Sequence, residues 1–220
     1  MKKTVIAAVV AALVLPLTLS ARLSPRHAAI TGIASCTATG SLDSLYVALD
    51  HALDSVLTVN ETKEVLVHSY AYCGFPRVLQ GLRTLVRVLA DRKARGIEDP
   101  AGREASPLNP RRDRYAAGRA VLAELTGVAP DSASKADYAV LAPEIEVFLK
   151  EHLFSDLFER DVLSYYDREI ATVAIIASLG EGVEPMLASH SGIAMRLGAS
   201  REDIGEILEI ASSNRSDSGK

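Results

Sequence analysis

The sequence predicts an all-α fold, and three observations carry that prediction. Apolar residues recur at three- and four-residue steps in every periodic segment. Helix-start signals stand immediately before several of those segments. No window alternates apolar and polar residues over a useful strand length. Abundant Ala, Leu and Val with no Trp suit the same reading.

Taken in order, the chain opens with Lys2 and Lys3, an apolar run from Val5 to Leu15, and small residues at Thr18-Leu19-Ser20. This pattern reads as a secretory signal over residues 1–20, since the run is well short of the ~20 apolar residues a membrane helix needs. The mature chain is then expected to be periplasmic or secreted, with no stable membrane insertion. Leu42, Leu45, Leu49, Leu53 and Val56 mark a first amphipathic helix. Thr58-x-x-Glu61 is a capping-box start for the next, which carries Glu64. Pro76 after Gly74-Phe75 starts another, with Val78, Leu82, Leu85, Val86 and Leu89 on its apolar face.

Residues 97–143 form a connector punctuated by Pro100, Gly102, Pro107, Pro110, Gly118, Gly127 and Pro130, with a short helix expected over Tyr115 to Leu125. A connector this long is expected to wrap the surface or form an interface. Ile145, Phe148, Leu149, Leu153, Phe154, Leu157 and Phe158 supply an apolar helix face beyond it. Pro185 suits a helix first turn, Gly198 a helix end, and Ser200-x-x-Asp203 a further start. The polar residues 213–220 are expected to be a disordered tail.

Loss of the signal removes Lys2 and Lys3 and no acid, leaving 22 basic against 28 acidic side chains. That balance lacks the basic footprint of a nucleic-acid binder. Cys36 and Cys73 form no Cys-x-x-Cys, and read as buried thiols or as a pair. No His-x-x-x-His and no cysteine pair at ligand spacing point to a metal, and phosphate-loop, nucleophile-elbow and dinucleotide motifs are absent.

Shifting the sequence by 142 positions aligns Arg26 with Arg168, Gly40 with Gly182, Leu45 with Leu187, Ala52 with Ala194 and Glu64 with Glu206, without a gap. The chain therefore reads as two copies, residues 24–96 and 144–212, each needing the other to bury its apolar face. Glu64, His68 and Tyr72 recur at four-residue steps on one helix face, where a carboxylate one turn from an imidazole can orient it for proton transfer. A surface ion pair beside a core tyrosine would give the same spacing. In the second copy Arg168 and Glu169 open an apolar helix, and His190 lies mid-helix among small and apolar neighbours. His190 has Ala48 as its counterpart, so only the second copy offers that imidazole.

The string from Thr58 to Leu66, the run Tyr70-Ala71-Tyr72-Cys73-Gly74-Phe75-Pro76-Arg77, and Arg168-Glu169-Ile170-Ala171-Thr172 with His190 and Gly198 resemble the carboxymuconolactone decarboxylase family, in an exported branch with a tandem repeat. The resemblance implies the helical fold of alkyl hydroperoxidase D-like proteins, two such repeats packed as a pseudo-symmetric pair, and a homo-oligomer, here a trimer. It implies cofactor-free decarboxylation of a small carboxylated lactone. Arg168 would hold a carboxylate, His190 would return a proton, and Glu64 or Glu169 would orient it. His68 and Tyr72 would line the substrate site, giving one composite cleft between the copies. The related peroxidases use two cysteines before the histidine, where this chain has Val183 and Met186. A peroxidase reading would rest on Cys73 alone, and a non-catalytic helical binding protein is the third possibility.

Overall fold

The computed structural model describes residues 23–129 and 137–217. The expected signal segment lies outside them. Among the described residues there is no strand, and the fold is all-α as expected. No helix among them is long and apolar enough to cross a membrane.

Helix α1 (Pro25–Thr39) starts at Ser24, whose hydroxyl accepts from the His27 amide, with Pro25 in the first turn. It ends at Gly40, whose left-handed backbone (φ 76°) returns its amide to the Cys36 carbonyl. Helix α2 (Leu42–Leu53) follows and buries Leu45, Leu49, Ala52 and Leu53. Helix α3 (Val59–Ala94) opens with the expected capping box. The Glu61 amide donates to Thr58 Oγ1, and the Thr58 amide donates to the Glu61 carboxylate. Gly74 breaks its backbone geometry (φ 77°, ψ 168°), so α3 is two helical segments joined by a kink, with Pro76 in the first turn of the second.

The connector turns back along the start of α3. The Val59 and Asn60 amides donate to the Pro100 and Ala101 carbonyls, satisfying groups a helix N-terminus leaves open. Its helix α4 (Arg114–Thr126) lies where the sequence indicated, capped by Asp113 and ended by Gly127. Helices α5 (Asp137–Leu141) and α6 (Pro143–Phe148) lead into a π-helix, Leu149–Leu157, which packs on α4. Gly118 makes this packing possible, because a Cβ there would lie 1.8 Å from the Lys150 carbonyl oxygen. The apolar face expected here divides at the change of helix type. Leu153, Phe154, Leu157 and Phe158 are buried, whereas Ile145 and Phe148 are exposed.

Helix α7 (Tyr165–Leu179) starts with a capping box between Ser164 and Asp167. Its face is buried almost end to end. Helices α8 (Glu184–Arg196) and α9 (Arg201–Asp217) complete the chain, and Ser200 and Asp203 exchange amide hydrogen bonds at the start of α9. The tail expected over 213–220 is corrected for 213–217, where α9 continues to Asp217 and the Asn214 side-chain amide donates to Ser35 Oγ; 218–220 lie outside the described residues. A polar surface pattern concealed that anchor.

One apolar core joins α1, α2, α3, α7 and α9. A second joins α4, the π-helix and Ile193 of α8. Tyr72 packs against both.

Candidate functional site

The kinked first segment of α3 lies against α7, and the face bearing Glu64 and His68 meets the face bearing Arg168 and Thr172. Glu64 has no solvent exposure and accepts from Arg160 Nε and Nη2 at 2.8 and 2.9 Å and from Arg168 Nη2 at 2.8 Å. Burial works to raise its pKa, but the two guanidiniums outweigh burial and hold the carboxyl below its ordinary value. Arg168 is likewise fully buried. The sequence suggested that Arg168 holds a substrate carboxylate; instead its charge is answered inside the protein by Glu64, and Nη2 also donates to the Arg160 carbonyl.

His68 occupies the next turn, buried, with Nδ1 3.3 Å from Arg168 Nη1 and Nε2 2.9 Å from Thr172 Oγ1. Burial first, then the Arg168 charge and His190, push its pKa well below the ordinary range. His68 is therefore a neutral ring that accepts from arginine. Its own ring lies 5.3 Å from that of Tyr72 and 5.3 Å from that of Phe158, centre to centre. This environment makes it a packed core histidine.

Beyond His68, Tyr72 stands edge-on to His190, with ring centres 5.9 Å apart. Its hydroxyl is buried next to Thr172, without a well-formed hydrogen bond among the described residues. Burial and the nearby Glu169 charge raise the phenol pKa, so it keeps its proton. Glu169, with no solvent exposure, takes His190 Nδ1 at 2.8 Å through Oε2, and its Oε1 has no partner among the described residues. A carboxylate acceptor at Nδ1 orients the ring and leaves Nε2 as the nitrogen that can exchange a proton with a reacting group. The His190 side chain is 13% exposed, the one ring of this set's histidines that reaches solvent.

The residues singled out from sequence thus form one contiguous chain: Glu64, Arg168, His68, Tyr72, His190 and Glu169. Glu169 alone, not Glu64, touches His190. Sequence reasoning missed Arg160 and Thr172. Arg160 sits in a charged turn without periodicity, and Thr172 looks like any helical threonine until His68 is placed against it.

Cys73 lies outside this chain. Its thiol donates to the Ser69 carbonyl, and burial pushes its pKa up to about 11. A one-cysteine peroxidase needs the opposite, an exposed thiolate of depressed pKa. No group of metal-ligating side chains gathers among the described residues.

Residues 143–215 match the model of the carboxymuconolactone decarboxylase family, and this stretch contains Arg168, Glu169 and His190. No curated protein matches the chain. The family match supports the resemblance read from the motifs, over α6 to α9.

Proposed function

We propose that the chain is an exported, cofactor-free acid–base enzyme that decarboxylates a small carboxylated lactone, with Glu169 and His190 as its proton-transfer pair. The observation that carries this reading is the 2.8 Å contact between a fully buried carboxylate and a partly exposed imidazole. Loss of CO2 breaks the carbon–carboxylate bond and leaves its electron pair on the adjoining unsaturated carbonyl as an enolate. The His190 imidazolium, stabilised by Glu169, then donates the Nε2 proton to that carbon and regains one from water. The protonated Tyr72 phenol, beside the His190 ring, is the donor for the developing enolate oxygen. Substrate carboxylate recognition falls to groups other than Arg168.

The reading includes two repeats packed about a pseudo-twofold axis. Helices α2 and α8 begin 142 residues apart, as do α3 and α9. Packing is reciprocal: α1 lies on α7, while α1 meets α9 and α3 meets α7. Glu64 of α3 takes guanidiniums from Arg160 and Arg168, and its counterpart Glu206 of α9 takes the Leu23 amide just before α1. Arg26 crosses between the halves to Asp167 at 3.0 Å. The helix spacing and packing support the twofold relation, whereas the ion pairs differ between the halves: Arg26, the counterpart of Arg168, meets Asp167 and Glu61, not Glu206. Export is supported by Lys2, Lys3 and the apolar run that follows.

The test is CO2 release from a panel of carboxylated unsaturated lactones. Wild type turns over at least one of them and His190→Ala does not. Equal turnover by the two proteins overturns the assignment.

A further inference from the structure

A cavity of about 450 Å3 opens between the end of α1 and the second segment of α3, away from Glu169 and His190. Arg77, Gln80 and Arg83 line it at three-residue steps along α3 with Leu79 of the same helix, opposite Gly40 and Leu42. No carboxylate lines it among the described residues. Arg26, Arg92, Arg112, Arg160 and Arg168 each meet an acidic side chain, yet neither Arg77 nor Arg83 has a hydrogen bond or an ion pair among the described residues.

The Arg77 guanidinium is pressed against backbone. A Cβ on residue 40 would lie 1.6 Å from its Nη1, so the glycine at this left-handed position is also what admits the guanidinium. Contact with that wall restricts the side chain in advance, which reduces the entropy a ligand must offset. A planar guanidinium with unsatisfied donors matches the two oxygens of a carboxylate or phosphate, and Gln80 adds amide donors beside it. The cavity lies within the ~300–1,000 Å3 range of small-molecule sites, and Leu42 and Leu79 provide apolar lining.

We propose that this cavity binds a small organic oxyanion between Arg77 and Arg83, at a site separate from the proton-transfer pair. The proposal does not rest on the decarboxylase reading. It also accounts for two cationic side chains that the fold leaves without internal partners.

Isothermal titration of the full chain at low ionic strength, with succinate and with inorganic phosphate, tests it. Saturable one-to-one binding of either probe is expected, weakened by about tenfold or more in Arg77→Gln and in Arg83→Gln, the loss of one charge-assisted pair. Both variants should unfold thermally as wild type does, because neither side chain supports the fold. Succinate alone binding identifies a carboxylate ligand, and phosphate alone a phosphate ester. No saturable binding of either probe, or variants that bind as wild type does, overturns the site.

Discussion

Glu169 grips His190 at 2.8 Å from a position with no solvent exposure, while its other oxygen has no partner among the described residues. This makes the imidazole a structural partner of the carboxylate as well as the proposed proton carrier. Removing it leaves a buried carboxylate with no hydrogen bond at either oxygen, a cost of about 1–3 kcal/mol or more. Glu169→Gln keeps the shape and can still bond the ring. Urea unfolding should therefore rank His190→Ala below Glu169→Gln in stability, although His190 is the more exposed residue. The reverse order would show that the contact is not formed.

Glu64 answers two arginines, one of them fully buried. Glu64→Ala strands Arg168 and should cost about 3–5 kcal/mol, the usual consequence of removing one partner of a buried ion pair. Arg160, a third exposed, is a lesser contributor. Arg160→Ala leaves Glu64 paired to Arg168 and should cost about 1 kcal/mol or less. Equal losses in chemical denaturation would mean that the buried bond does not join the two halves.

The all-α fold and several helix starts were legible because they depend on local chemistry, whereas α1 and the π-helix were not. Thr58 with Glu61, Ser200 with Asp203, and Gly74 with Pro76 specify their turns from a few adjacent residues. The spacing of Glu64, His68 and Tyr72 also revealed a shared face. What that face meets was not legible. Arg168 and Glu169 are adjacent in sequence but turn to different neighbours, one to Glu64 and the other to His190. Only packing of α7 between α3 and α8 decides which carboxylate orients the imidazole. The tail misled for a related reason: Asn214 is polar by type but anchored by Ser35, 179 residues away.

Acid should destabilise the protein through Asp167 and Glu64. Burial raises the pKa of each, but hydrogen bonds outweigh it and leave both below their ordinary values, from His27 and Arg26 on Asp167 and from Arg160 and Arg168 on Glu64. Below about pH 4 the unfolded chain binds more protons at these groups than the folded one, so stability falls as pH falls. Their contribution is complete above that range and is lost as pH drops through the depressed folded values. Free energy of unfolding measured from about pH 6 to pH 2 should show this slope, flattened in Asp167→Asn. An unchanged slope in the variant would contradict the assignment.

Cys73 should resist alkylation in the native protein. With its pKa pushed up to about 11, the thiolate at pH 8 is roughly a hundredfold scarcer than for an ordinary cysteine. Iodoacetamide labelling of Cys73, followed by mass spectrometry, is expected to be slow when folded and fast in denaturant. Rapid native labelling, or oxidation by dilute peroxide, would revive the peroxidase reading.

The account's central claim is that Glu169 acts through His190 on a proton. CO2 release from carboxylated unsaturated lactones by wild type and Glu169→Gln measures it most directly. The account predicts turnover by wild type and a fall of about 10²–10⁴-fold in the variant, with the fold intact by circular dichroism. Turnover that Glu169→Gln leaves within about twofold of wild type, or no release from any lactone of the panel, would contradict it.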